Sequence, residues 1–179
     1  MKKIPVIFIV ITLILLNAAV LMAGGKKDSG AIGKNEYPFT GKTLIQIVDK
    51  HKEVSFIAEA LEKTGLADQM AHMEGYTLFV PTDDIIARLH ESVRKAMMND
   101  PQVLLEILTD QMVKGVLTAE ELRKMNSVTT MGEVKMAVGR RGTKITLSDS
   151  DLIVTDLFGK GFIVHIVTGI IVSGIKLKS

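Results

Sequence analysis

The residues best suited to chemistry in this chain are its carboxylates, its four histidines and one adjacent pair of arginines. The most conspicuous acids are neighbours. In "GYTLFVPTDDII", Gly75 to Ile86, an apolar run meets a proline, a threonine and then Asp83-Asp84. Paired carboxylates can share acid–base work or hold a metal ion. Either task needs both groups turned to one substrate or ion, and successive side chains on a helix diverge by about 100°. A local role accounts for the same residues. Tyr76 to Val80 reads as a strand stopped by Pro81, and Thr82 is placed to cap the helix that follows. Asp83 and Asp84 then occupy its first turn, where negative charge meets the positive end of the helix dipole, a contribution of about 0.3–1 kcal/mol each.

The remaining candidate sets are no more reactive. His51, His72 and His90 share no metal-ligand spacing. His165 lies in a wholly apolar stretch and is expected to hold a buried hydrogen bond. "SDSD", Ser148 to Asp151, alternates oxygen side chains but lacks the glycine and terminal Glu of a calcium loop, so it reads as a turn with an Asp cap. There is no Gly-x-Ser-x-Gly elbow, no His-Glu-x-x-His and no cysteine. The lack of cysteine removes disulfides, thiolate catalysis, thiolate zinc sites and a cysteine-linked lipid anchor. The expectation is a non-enzyme without cofactor or metal. Arg140-Arg141, within "GRRG" at an expected hairpin tip, is the best exposed cationic spot, suited to an anionic glycan or lipid headgroup.

The elements that must position these residues come in two styles, helices first and strands later, which indicates an α+β domain. Thr43-x-x-Gln46 and Thr118-x-x-Glu121 are capping boxes, and Asp100-Pro101 is a helix start. Phe56, Ile57, Ala60 and Leu61 give one helix an apolar face that ends at Gly65. Leu104, Ile107, Leu108 and Met112 form the stripe of another. Val134 to Val138 and Thr143 to Leu147 flank Gly139–Gly142 as a hairpin, with Ile145 and Leu147 on one face. Strands are expected at Leu152 to Val154, Phe162 to Val167 and Ile170 to Val172. The middle one is apolar without alternation, as in a central strand covered on both sides.

The totals narrow the class further. Hydrophobic residues make up 47% of the 179, so the chain folds, but only six Phe, two Tyr and no Trp are present. The core must be Ile, Val, Leu and Met, with Met97-Met98 as gap-fillers. Few stacking platforms argue against single-stranded nucleic acid. The net charge of +2 is no more than Lys2 and Lys3 supply, so no electrostatic case for nucleic acid remains. Those lysines precede a long apolar run ending at Ala23-Gly24-Gly25, which reads as a signal peptide over residues 1–25, or as an uncleaved membrane anchor. Either places the rest outside the cytoplasm, periplasmic, secreted or surface-held. A disulfide-free exported chain fits a bacterial origin. Residues 26–42, Gly- and Lys-rich with Pro38, read as a flexible linker, and residues 43–179 as the folded domain.

Three segments carry a family resemblance. "YTLFVPTDDII" resembles the first signature of the fasciclin domain, and "FIVHIVTGIIV", Phe162 to Val172, resembles the second. Between them "LLEILTDQMVKGVLTAEEL" is similar to the family's central segment, with Gly115, Thr118 and Leu122 in register. The resemblance implies a twisted β-wedge or sandwich flanked by helices. It also implies a noncatalytic adhesion module that meets a protein or glycan on a cell surface or matrix. Thr82, Asp83 and His165 match signature positions. The Tyr-His pair linked to receptor binding in animal members is replaced here by Asp110 and Gln111, while Met112 and Val113 match the apolar pair that follows. A second family recognition pair falls, by ungapped counting, on Asp156-Leu157, an acid to orient and an apolar residue to bury. An envelope structural protein, membrane-tethered and binding another bacterial protein, is the alternative. A lone fasciclin domain predicts weak binding unless it self-associates, because linked domains gain from avidity.

Overall fold

A computed structural model of the chain describes residues 37–170. The expected leader, most of the linker and Ile171-Val172 of the last expected strand lie outside the described residues; Ile170 is not in a strand. Helices are α1 (Leu44–Val48), α2 (Ser55–Thr64), α3 (Leu66–Met70), α4 (Asp83–Ile86), α5 (Glu91–Asn99), α6 (Pro101–Asp110) and α7 (Ala119–Arg123). Strands are β1 (Tyr76–Pro81), β2 (Met112–Lys114), β3 (Ser127–Thr129), β4 (Lys135–Arg141), β5 (Lys144–Leu147), β6 (Ser150–Phe158) and β7 (Phe162–Val167).

Both capping boxes form as the sequence predicts, with Thr43 and Gln46, and Thr118 and Glu121, satisfying each other's backbone N–H groups. Asp100 caps α6 with Pro101 in its first turn. Gly65 ends α2 in the left-handed conformation, φ 67°. Some expectations shift. Met112 is not the end of the α6 stripe; the helix stops at Asp110 and Met112 opens β2. The β4–β5 turn is Gly142-Thr143, not Gly139–Gly142, because Arg141 pairs with Lys144 and Gly139 with Thr146 inside the ladder. Helices α3 and α5 and strands β2 and β3 carry patterns too short or too polar to stand out in the sequence.

The strands form one mixed sheet in the order β2-β1-β7-β6-β5-β4-β3. β1 and β7 are parallel, from Tyr76↔Phe162 to Pro81↔Val167, and the other pairings are antiparallel. Val113 of β2 bridges to Thr130, just past β3, so the two ends of the sheet meet and it nearly closes into a wedge. Closure removes exposed strand edges that could pair with other chains.

Two cores result. Tyr76, Leu78 and Val80 of β1 and Phe162, Val164 and Ile166 of β7 pack against α1, α2, α5 and α6. Phe79 and Val167 turn the other way and fill the wedge with Val113, Leu122, Val128, Met136, Ile145, Leu147 and Leu152. β7 lacks alternation because both of its faces are covered, as the sequence implies.

Candidate functional site

β6 is the least regular strand and carries the acid-apolar pair. Its pairing with β7 shifts register between Leu152 and Val154, and again between Val154 and Leu157. At the second shift Asp156 adopts φ 61°, a left-handed conformation that Asp tolerates better than most side chains. The bulge re-aims two groups. The Asp156 N–H donates to Nδ1 of His165 at 3.2 Å, and its Oδ1 accepts the N–H of Ala119, the first residue of α7, at 2.8 Å.

His165 completes the arrangement. It is fully buried on β7 and stacks on Phe79, its partner across the sheet, with centroids 5.5 Å apart. Because Nδ1 accepts from Asp156, the ring proton sits on Nε2, which donates to the Leu117 carbonyl at 2.8 Å. Burial pushes its pKa below the ordinary value, against the opposing pull of the Leu117 carbonyl and the Asp156 charge. The imidazole is therefore a neutral strut between the β6 bulge and the segment leading into α7. Both of its nitrogens are committed to backbone groups. The sequence expectation of a buried hydrogen bond is met twice over.

On the surface side, Asp156, Leu157 and Phe158 form one wall of a cleft of about 320 Å³. Ile47, Lys50 and His51 come from α1 and the turn after it, and Pro38, Thr40 and Lys42 from the segment before it. That segment is fixed in place. Thr40 donates its N–H to the Gly159 carbonyl and its hydroxyl to the Phe158 carbonyl, and Lys42 accepts from Lys160 N–H. Phe39 meets Phe158 edge-on, with centroids 6.2 Å apart. Five residues of the expected linker, from Pro38 on, are thus part of the folded unit. Within the cleft, His51 is held by Glu53 at 3.2 Å, and Lys42 and Lys50 are exposed and have no carboxylate partner among the described residues. An apolar wall with cations at its margin suits noncovalent recognition.

The other sequence-predicted residues lie elsewhere. Met112 and Val113 are buried in the two separate cores, so neither presents a surface to a ligand. Asp110 and Gln111, at the positions of the family's receptor pair, are buried as well. Thr82 occupies the cap position of α4, but its side chain makes no capping hydrogen bond. Asp83 is in that helix's first turn as expected, yet its carboxylate reaches back to the start of α2. Arg140 and Arg141 are exposed, at the turn end of strand β4; Arg141 pairs with Asp151 at 2.9 Å, and Arg140 donates to the Arg123 carbonyl. Ser148-Asp149 is the turn read from "SDSD", while Asp151 serves as the ion-pair partner. Sequence reasoning missed Lys42, Lys50 and Arg123. The two lysines flank the short apolar run Leu44–Val48, which is the one local signal that marked them.

Among the described residues no group of three His, Asp or Glu side chains could hold a metal ion. The Ser55 hydroxyl donates to the Asp83 carboxylate.

A nearly closed mixed wedge with a parallel β1–β7 pair, flanked by helices, defines the class. The sequence profile of the fasciclin domain matches residues 52–173, and the chain belongs to that family. An uncharacterized protein of Synechocystis is 22% identical over 132 residues, covering 73% of this chain and 98% of its own length. The transforming growth factor-beta-induced protein ig-h3 of Sus scrofa is 20% identical over 128 residues; the match spans 71% of this chain and 19% of the pig protein. A domain pair from the insect cell adhesion molecule fasciclin I superposes with a TM-score of 0.60 at 14% identity, over 74% of this chain and 51% of the pair. That likeness concerns the fold. Among the described residues, no helix is long and apolar enough to cross a membrane.

Proposed function

We propose that this chain is an exported, noncatalytic adhesion-type module that recognises a protein or glycan on a cell surface or matrix, using the cleft beside Asp156-Leu157. Family membership supports the adhesion class, and the relatives include a named cell adhesion molecule. Lys2-Lys3 and the apolar run behind them support export. The observation that carries the site is the β6 bulge, which sets Leu157 and Phe158 along a cleft opposite Ile47, with Lys42 and Lys50 at its margin. Leu157 packs only partly into the core, leaving apolar surface for a partner to bury.

The test is binding of the purified chain to cells, matrix proteins and polysaccharides, compared with Leu157→Ala and Lys42→Gln/Lys50→Gln variants shown by circular dichroism to be folded. Loss of binding in both variants supports the cleft. Binding retained in both moves the site elsewhere. No binding to any surface favours an envelope structural protein that meets another protein of the same cell.

A further inference from the structure

The end of α7 and the β4–β5 hairpin carry five cations. Three have acidic partners. Lys124 Nζ lies 2.6 Å from Glu120, and Arg141 and Lys144 lie 2.9 and 3.6 Å from the two oxygens of Asp151. Arg123 and Arg140 are both exposed and use carbonyl groups instead. Arg140 Nη2 donates to the Arg123 carbonyl at 2.8 Å, and Arg123 Nη2 donates to the Thr143 carbonyl, at the hairpin turn, at 3.0 Å. A carbonyl fixes a guanidinium in space without cancelling its charge. Each guanidinium has five N–H donors, so most of each fork is left for another partner.

We propose that the Arg123–Arg140 junction is a docking surface for an acidic polysaccharide, a polymer carrying repeated carboxylate or sulfate groups. Guanidinium forks match such oxyanions in bidentate geometry. Because backbone carbonyls already hold these two, less side-chain freedom is lost on binding. The two forks give a polymer with spaced anions two points of attachment; the Arg141–Asp151–Lys144 cluster, which retains one net positive charge, lies on the opposite face of the hairpin. A lipid surface fits less well. Of the exposed large apolar side chains among the described residues, Met125 alone belongs to this segment, and interfacial binding scales with buried apolar area. The junction shares no residue with the cleft at Leu157, so the two can fail separately.

The purified full-length chain is titrated with fluorescent heparin and with alginate at low and raised salt, beside phosphatidylserine vesicles. The Arg123→Gln/Arg140→Gln variant is expected to bind either polysaccharide about tenfold or more weakly, and with a shallower salt dependence. Lys95→Gln, which removes a cation paired with Glu91 on α5, is expected to leave binding unchanged. Arg123→Lys/Arg140→Lys keeps both charges and loses both forks, and is expected to fall between. It decides the matter if the Gln variant fails to fold. The proposal is overturned if the Gln variant binds like the parent, if Lys95→Gln weakens binding equally, if the folded Lys variant binds like the parent, or if vesicles are preferred to both polysaccharides.

Discussion

The carboxylate of Asp83 closes the start of a helix that precedes it by 28 residues, accepting the Ser55 N–H at 3.0 Å and the Ser55 hydroxyl at 2.6 Å. It also accepts the Phe56 N–H at 3.0 Å. The residue before α2, Val54, offers no side-chain cap, so Asp83 supplies from a distant turn what a local Ser or Asp ordinarily provides. Asp83→Ala is expected to lower stability by about 1–3 kcal/mol, because two helix N–H groups lose a charged acceptor. Asp84→Ala, at the exposed neighbour, should stay within about 0.5 kcal/mol of the parent. Urea unfolding of both variants checks this; equal midpoints would remove the cap argument.

His165 makes the domain sensitive to mild acid. Burial holds its folded pKa below the unfolded value of about 6.5, so the unfolded chain takes up the proton first. Its contribution to stability is present in full above about pH 6.5 and is lost progressively as pH falls below that, towards the folded pKa. A proton on Nδ1 would also face the Asp156 N–H, two donors with no acceptor between them. His165→Gln, which cannot titrate, should be less stable at neutral pH by about 1–3 kcal/mol and should lose less on acidification. Unfolding midpoints from pH 7.5 to pH 5, read as the difference between the two proteins, isolate this residue from the carboxylates. Parallel curves would mean that His165 does not titrate in that window.

Asp156 combines strain with a cap, and the two separate by substitution. Asp156→Gly loses the acceptor for the Ala119 N–H but relaxes the left-handed backbone; Asp156→Ala loses the acceptor and keeps the strain. The alanine variant is therefore expected to be less stable than the glycine variant by about 1 kcal/mol. Asp156→Asn retains an acceptor and should lie closest to the parent. Thermal unfolding of the three orders them, and alanine above glycine would contradict the assignment. Binding lost on truncating Asp156 would report a displaced α7 as readily as a missing contact, which is why Leu157 is the better probe of the cleft.

Local signals were legible in the sequence and distant ones were not. The Thr43 and Thr118 boxes and the Asp100-Pro101 start depend on residues within one turn, and all three form as read. The apolar β7 follows from a core on each side of it. Gly139 shows the limit: it looks like a turn glycine, but it lies in a strand opposite Thr146, where the Thr146 hydroxyl stands 2.8 Å from where a Cβ would be. The same limit hid the role of Asp83, the partner of Arg140 and the lysines of the cleft. Each depends on a segment brought near by the fold, and spacing along the chain carries no record of it.

Asp110 and Gln111, where the resemblance places a Tyr-His pair, sit in closely packed surroundings. Both are buried, at 3% and 0% exposure. The Gln111 carbonyl accepts the Phe79 N–H, and Gly132 lies so close that a Cβ there would overlap the Asp110 carboxylate. Asp110→Tyr/Gln111→His would push a ring into this closed space, and overpacking of that kind destabilises by about 1–3 kcal/mol. The expected result is a lower unfolding midpoint and no gain in cell attachment. A graft that unfolds at the parent's midpoint and attaches cells would show that this corner of the wedge can open, and that Asp110 and Gln111 alone silence it.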